Sequence, residues 1–201
     1  MRNRFGLVCA VILLVLGMGA ATARAEETIV FLRHGEKPSG GYGQLTCQGF
    51  NRSLALPDVL LGKFGRPNIL YAPNPATKIP DAAGNFYYDR PLATLEPLAV
   101  KLQMDIWSKY GYNDIASLQS SLITSSRDGK TIFVAWEHVY LAKVVQNIMN
   151  AYGGGVSVPA WASGDYDSLY IVHVDYSSGS PRATFERAAE GLNGLSTSCP
   201  F

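Results

Sequence analysis

"IVFLRHGEKP", residues 29–38, decides the fold, because an apolar run stops abruptly there at an arginine, a histidine and a glycine. The run TIVFLR, 28–33, is apolar and rich in β-branched residues and does not alternate with polar ones, which is typical of a strand buried on both faces. Two side chains that carry or can carry positive charge therefore follow a buried strand. They indicate either an ordinary polar loop or an anion site that contains a nucleophile.

Strands and helices alternate along the rest of the chain. Three further apolar runs predict strands over 68–73, 131–136 and 168–176, and helices are predicted over 47–65, 90–103, 114–126 and 139–155. Residues 74–89 are rich in Pro, Gly, Asn and Asp and predict a long loop, while 181–192 fits either an edge strand or a short helix. The alternation predicts an α/β fold, a three-layer sandwich with a mainly parallel central sheet flanked by helices.

The N-terminus predicts a signal peptide over 1–25, followed by one domain over 26–201. Arg2 and Arg4 precede a short apolar stretch, and Ala23 and Ala25 have the A-x-A spacing of a cleavage site. A membrane anchor is the competing interpretation, but the stretch is short for a span of about 20 residues. We therefore expect a periplasmic or secreted protein that keeps no stable membrane anchor after cleavage.

Charge and cysteine content narrow the possible functions. Cleavage removes three of the 17 basic residues and none of the 16 acidic ones, which leaves a net charge of −2 and argues against a nucleic-acid partner. Cys47 and Cys199 remain in the mature chain. We predict that an exported protein joins them in a disulfide, and two free buried thiols are the alternative.

The histidines and arginines fall at positions where α/β proteins bind ligands. His34 follows the first strand and His138 follows the strand at 131–136, so both are expected at the carboxyl edge of the sheet. His173 lies inside a strand and is expected to be structural. Arg33 and Arg90, the latter at a predicted helix start, would repel a metal cation, but their planar forks match the oxygens of a phosphate.

This ordered set of motifs resembles the histidine phosphatase superfamily, also called phosphoglycerate-mutase-like. The hallmark Arg-His-Gly is Arg33, His34 and Gly35, with Glu36 matching the frequent next residue. "LTCQGFNRSLAL" resembles the Leu-Thr-x-x-Gly helix start of the family, "DRPLATLEPLA" its arginine helix, and "FVAWEH" the late strand that ends at the second histidine. With "DYDSLYIVHV", which resembles the last core strand, the likeness spans residues 28–174.

The resemblance implies a phosphomonoesterase that hydrolyses a small phosphorylated substrate through a phosphohistidine. His34 is then the nucleophile, and Arg33, Arg90 and His138 stabilise the phosphoryl group during transfer. No metal and no organic cofactor is implied. A catalytically silent module that binds phosphorylated ligands and a phosphomutase are the alternatives.

The resemblance leaves the proton donor open. One branch of the family indicates Asp114 and another indicates Glu137, although Asp114 is also suited to capping a helix and Glu137 to orienting its neighbours. Glu36 is predicted among the substrate-binding residues together with Arg33 and Arg90, where it fixes Arg33 or the loop rather than reacting. Arg52, on the following helix, is predicted to be a surface cation.

Overall fold

The computed structural model describes residues 26–201. The predicted signal peptide, 1–25, lies outside the described residues. No helix within 26–201 has both the length and the apolar character that crossing a membrane requires.

A six-stranded sheet forms the centre of the fold, in the order β5-β2-β6-β1-β7-β8. Strands β5, β2, β6 and β1 run parallel to one another, β7 is antiparallel to β1, and β8 is antiparallel to β7. The sheet strands are β1 (Glu27–Arg33), β2 (Ile69–Tyr71), β5 (Ile106–Trp107), β6 (Thr131–Trp136), β7 (Ser168–Asp175) and β8 (Arg182–Ala189). The mainly parallel sheet predicted from the alternation is confirmed.

Within residues 26–201, four α-helices flank the sheet. They are α1 (Cys47–Phe64), α2 (Arg90–Leu102), α3 (Ile115–Leu122) and α4 (His138–Tyr152), and a short 3-10 turn, Ser125–Arg127, follows α3. Helix α1 begins where the Thr46 hydroxyl accepts a hydrogen bond from the Gly49 amide, and it continues through Pro57 without a break. All four predicted helices therefore form, with α3 shorter than expected.

Alternate residues of the central strands lie on opposite faces of the sheet and pack into two separate hydrophobic cores. Ile29 and Phe31 of β1 pack with helices α3 and α4 on one face of the sheet, while Val30 and Leu32 pack with α1 and α2 on the other. Because both faces are covered, the central strands read as continuous apolar runs rather than as an alternating pattern.

Two segments differ from, or add to, what the sequence predicted. Residues 74–89 were expected to form a loop, but they contain a two-stranded antiparallel hairpin, β3 (Ile79–Asp81) and β4 (Gly84–Phe86). The segment 181–192, which fitted either a strand or a helix, contains the edge strand β8. The two hairpin strands pair with each other, whereas β8 forms by pairing with β7.

The C-terminal end of the chain is attached to the start of α1. Cys47 and Cys199 form a disulfide, with 4.6 Å between their Cα atoms, as predicted for an exported chain. The side-chain amide of Asn51 also donates to the carbonyl oxygens of Ser196 and Ser198, each at 2.8 Å. The tail therefore lies against the helix that follows the Arg33–His34 loop.

Candidate active site

The ends of the two central strands bring His34 and His138 to one edge of the sheet. Strands β1 and β6 are parallel neighbours in which Arg33 lies opposite Trp136, so the residues that follow leave the sheet side by side. A cavity of about 270 Å³ opens there, lined by Arg33, His34, Arg90, Glu137 and His138 among others. Five of the predicted site residues therefore lie together.

His34 is buried at this edge and its imidazole is held in one orientation. Its Nδ1 lies 2.7 Å from the carbonyl oxygen of Gly35, and because that oxygen can only accept, Nδ1 carries the proton. Burial, followed by the positive charge of Arg90, lowers the pKa of His34 well below its usual range. The imidazole is therefore neutral, with the lone pair on Nε2, which is the form a nucleophile needs.

Close backbone contacts fix the loop that carries His34. A Cβ atom on Gly35 would lie 2.7 Å from the carbonyl oxygen of Gly49, and one on Gly49 would lie 2.4 Å from that of Glu36. The Gly35 amide donates to the Thr94 hydroxyl at 3.0 Å, which ties the loop to α2. Glycine at both positions is therefore required for the loop to sit against helix α1.

Arg33 reaches from β1 to the segment that leads into β7. One of its terminal nitrogens donates to the carbonyl oxygens of Ser163 and Asp165, at 2.6 and 3.0 Å. The guanidinium stacks on the ring of Tyr166, 3.8 Å from the ring centroid. Its Nε is buried and makes no hydrogen bond.

Arg90 is the first residue of α2, at the helix start that the sequence predicted, and it is almost fully buried. Its terminal nitrogens donate to the carboxylate of Asp81 at 2.7 and 3.3 Å. The Nε of Arg90, like that of Arg33, is buried and without a hydrogen-bond partner. Buried donors without partners are rare in folded proteins, and two of them around one cavity indicate a site that is completed by a ligand with acceptor oxygens.

Glu137 and His138 form a pair at the start of α4. Oε2 of Glu137 caps the helix by accepting from the amides of Val139 and Tyr140, at 2.8 and 3.0 Å. Its Oε1 lies 2.6 Å from Nδ1 of His138 and fixes the position of that imidazole. Burial raises the pKa of Glu137, but the contacts with His138 and the two amides outweigh it and lower the pKa below its ordinary value.

Asp114, the other predicted proton donor, is not brought to the cavity. It is exposed and caps α3 by accepting from the Ser117 amide at 3.3 Å. It lines a separate surface depression together with Lys109 and Tyr110. In the structure this residue is a helix cap outside the cavity lining.

The structure places Glu36 away from the cavity lining and corrects the expectation for Arg52. Glu36 was predicted to bind substrate and to fix Arg33 or the loop, and its carboxylate accepts from Nε and a terminal nitrogen of Arg52 on α1, the shortest distance being 2.7 Å. Arg52 was predicted at the surface, yet it is fully buried and also donates to Asp167 and Glu190. Three carboxylates from distant parts of the chain surround this cation, and local sequence carries no signal for that arrangement.

Several residues of the cavity were missed by the sequence reasoning. Asp81 enters from the β3–β4 hairpin, Lys37 from the loop after His34, and Lys143 from the second turn of α4. Lys143 lies five residues after His138, which turns it by about 140° around α4, so helical periodicity gave no reason to place it in the same site. Asp81 carried no signal, since the segment around it was expected to be a loop.

The donor types of this site suit an anion rather than a metal. Within residues 26–201, no group of three or more His, Cys, Asp or Glu side chains is arranged to hold a metal ion. The charged groups that lower the pKa of His34 most are the guanidinium groups of Arg90 and Arg33. Guanidinium groups bind phosphate and carboxylate oxygens.

Solved structures of phosphatases share this fold. A mycobacterial glucosyl-3-phosphoglycerate phosphatase superposes with a TM-score of 0.52 at 11% identity, over 80% of this chain and 97% of the other. A protein assigned as the phosphohistidine phosphatase SixA, from Nakamurella multipartitia, gives 0.51 at 12% identity, over 80% and 95%. A mycobacterial protein named hydrolase 2 gives 0.50 at 12%, over 80% and 89%.

These likenesses concern the fold. They confirm the phosphoglycerate-mutase-like sandwich that the sequence predicted. No family model and no curated protein matches the sequence itself.

Proposed function

We propose that the protein is a phosphomonoesterase that transfers the phosphoryl group of a small ester to Nε2 of His34 and then to water. The proposal rests on one observation above all. A neutral, oriented imidazole shares a cavity with two buried arginines, and each arginine has an Nε without a hydrogen-bond partner. Such donors stabilise the charge that builds up on the equatorial oxygens during phosphoryl transfer.

The charge of the cavity supports an anionic substrate. Its lining contains four permanent cations, Arg33, Lys37, Arg90 and Lys143, and two carboxylates, Asp81 and Glu137, which gives a formal charge of +2 before the histidines are counted. A phosphate monoester dianion would neutralise this excess. The volume of about 270 Å³ favours a small ester over a phosphorylated macromolecule bound deep in the site.

The reaction proceeds in two displacements. Nε2 of His34 attacks phosphorus, so the N–P bond forms while the P–O bond to the leaving group breaks. The leaving oxygen takes the proton held between the Glu137 carboxylate and the His138 imidazole, which lie 2.6 Å apart at the cavity, and the water that attacks in the second displacement returns a proton to this pair. A water molecule then attacks phosphorus, the N–P bond breaks, and inorganic phosphate and free His34 are restored.

The names of the structural neighbours agree with this activity. One acts on glucosyl-3-phosphoglycerate and another is assigned to phosphohistidine, so both act on phosphorylated substrates. We further propose that the protein works after export. The disulfide between Cys47 and Cys199 supports that location, because such bonds persist in oxidising compartments.

Hydrolysis of p-nitrophenyl phosphate by the purified protein tests the proposal. We expect turnover by the wild type, loss of several orders of magnitude in His34→Ala, and near wild-type turnover in His173→Ala. His173 is a matched control because it lies within β7 and contacts Thr28 instead of the cavity.

The same assay separates the alternatives. Saturable binding of inorganic phosphate without turnover would indicate a silent binding module. Transfer of the phosphoryl group between two substrates without release of phosphate would indicate a mutase.

A further inference from the structure

The β3–β4 hairpin places a carboxylate inside the proposed phosphate site. Asp81 is the last residue of β3, and its side chain is 1% exposed. It lines the same cavity as His34 and Arg90. A negative charge in a site for a phosphate dianion is unfavourable unless it serves another purpose.

Four donor groups from three residues converge on this carboxylate. Arg90 donates from both terminal nitrogens, at 2.7 and 3.3 Å. Lys37 donates from Nζ at 3.0 Å, and the backbone amide of Gly43 donates at 3.1 Å. Asp81 thus connects helix α2 to both ends of the loop that follows His34.

These contacts determine which part of Arg90 a ligand meets. One terminal nitrogen is shared between Asp81 and the carbonyl oxygen of Gly41, at 3.3 Å from the latter, and the other faces Asp81. The donor that remains without a partner is Nε. Asp81 therefore fixes the rotation of the guanidinium plane, since a bidentate pair leaves it little freedom.

The loop after His34 is shaped around the carboxylate. Gly41 and Gly43 have φ values of 82° and 69°, in the left-handed region that favours glycine. A Cβ on Gly41 would lie 2.1 Å from Cγ of Asp81, so any side chain there would displace the carboxylate. This close fit indicates a built arrangement rather than an accidental surface ion pair.

The ionisation of Asp81 excludes a role as proton donor. Burial raises its pKa, but the hydrogen bonds from Arg90, Lys37 and Gly43 outweigh burial and lower the pKa to about 2. The group is therefore a carboxylate at any pH near neutrality and has no proton to give to a leaving oxygen.

We propose that Asp81 is a positioning residue that orients Arg90 toward the transferring phosphoryl group, an inference that rests on the proposed phosphatase function. Asp81 does not touch the reacting atoms. It acts through the guanidinium of Arg90, and the hairpin that carries it forms one wall of the site.

The opposite role would be an inhibitory one, in which the carboxylate occupies the place of a phosphoryl oxygen and must leave before substrate binds. The four hydrogen bonds and the near-complete burial favour positioning, because all of these contacts would have to break in each catalytic cycle. The two roles predict opposite effects of removing the charge.

Steady-state kinetics of Asp81→Asn test the proposal, with Asp58→Asn as the matched control. Asp58 also forms an ion pair, with Lys101, but it is 83% exposed and outside the cavity lining. We expect Asp81→Asn to lower kcat/KM by roughly ten- to a hundredfold, the range found when a partner that orients a ligating side chain is removed. Asp58→Asn should leave it unchanged.

A double-mutant cycle separates positioning from general structural damage. In an Arg90→Ala background, Asp81→Asn should cause little further loss, because its effect passes through Arg90. Asp81→Glu keeps the charge and the fold but pushes the guanidinium out by one methylene. It should keep the wild-type melting temperature and still lose at least about tenfold in kcat/KM.

Three results would overturn the inference. They are a gain in kcat/KM or in phosphate affinity on Asp81→Asn, an equal loss with and without Arg90, and a fully active Asp81→Glu. If the proposed phosphatase function is itself wrong, the wild type will release no phosphate from any ester. That result differs from all three results that would overturn the role of Asp81.

Discussion

Nδ1 of His34 donates to the carbonyl oxygen of its own neighbour, Gly35, at 2.7 Å. This contact settles the tautomer locally, without a carboxylate or any other distant residue. Nε2 thereby keeps the lone pair, and in the proposed mechanism it attacks phosphorus while Arg33 and Arg90 stabilise the negative charge on the phosphoryl oxygens. The proposed nucleophile and anion site thus consist of adjacent residues at the end of β1 together with the first residue of α2.

Replacement of Arg90 by lysine should be far more damaging than its conserved charge suggests. Lysine can keep an ion pair with Asp81, but it then has no second nitrogen for the phosphoryl oxygens. We expect a loss of roughly 2–4 kcal/mol in transition-state stabilisation, or about 10²–10³ in kcat/KM. Arg66→Lys is the control, since Arg66 is an exposed residue that donates to the Leu102 carbonyl. An Arg90→Lys enzyme with near wild-type kcat/KM would remove Arg90 from the phosphate site.

The two predicted proton donors can be separated by leaving group. If the proton passes through the Glu137–His138 pair, Glu137→Gln should slow hydrolysis of an alkyl phosphate by about 10²-fold. It should affect p-nitrophenyl phosphate much less, because that leaving group departs without a proton. Asp114→Asn should change neither rate, since Asp114 caps α3 outside the cavity. Equal losses on both esters would limit Glu137 to orienting His138, and a loss confined to Asp114→Asn would reverse the assignment.

The disulfide should contribute to stability rather than to catalysis. Cys47 and Cys199 are separated by 152 positions in the chain, and their bond attaches the C-terminal segment to α1. We expect Cys47→Ser/Cys199→Ser to lower the free energy of unfolding by about 2–4 kcal/mol and to keep kcat. Urea denaturation with and without a reductant provides the measurement. Two free thiols in the denatured, unreduced wild type would contradict the pairing.

The cluster around Arg52 predicts a dependence of stability on pH. Burial raises the pKa of Glu190 from 4.5 to about 8 in the folded protein. The contact with Arg52 opposes this rise, but Glu190 shares that arginine with Glu36 and Asp167. The folded state therefore binds this proton more tightly than the unfolded state does. Its contribution to stability is complete below about pH 4.5 and is lost as the pH rises through about 8.

Comparison with Glu190→Gln isolates this effect. Between about pH 5 and about pH 8, the wild type should lose stability relative to the variant, as measured by urea unfolding at each pH. Glu27, whose pKa burial also raises to about 8, is present in both proteins and cancels in the difference. Parallel pH profiles would show that Glu190 does not titrate in this window.

The sequence predicted the central part of the site because its residues are fixed by short-range structure. Arg33, His34 and His138 follow strands that are recognisable as buried, and parallel strands place their carboxyl ends at one edge. Arg90 begins a helix with a proline at its first turn, which is a local signal.

The positions of Asp81 and Arg52 depend on contacts with residues that are distant in sequence. The hairpin at 79–86 contains proline and glycine and lacks an alternating pattern, and Asp81 is anchored by Arg90, Lys37 and Gly43. Arg52 looks like any helix-surface cation until Asp167 and Glu190 are brought beside it by β7 and β8. No local pattern encodes contacts of that range.

Trapping of the phosphorylated enzyme tests directly whether His34 is the residue that accepts the phosphoryl group. The wild type, His34→Ala and His173→Ala would each be mixed with a radiolabelled phosphomonoester and quenched within milliseconds, and the label mapped by peptide mass spectrometry. We expect an acid-labile, alkali-stable label on the peptide that contains His34 in the wild type and in His173→Ala, and none in His34→Ala. Label that persists in His34→Ala, or turnover by the wild type without any labelled protein, would contradict this expectation.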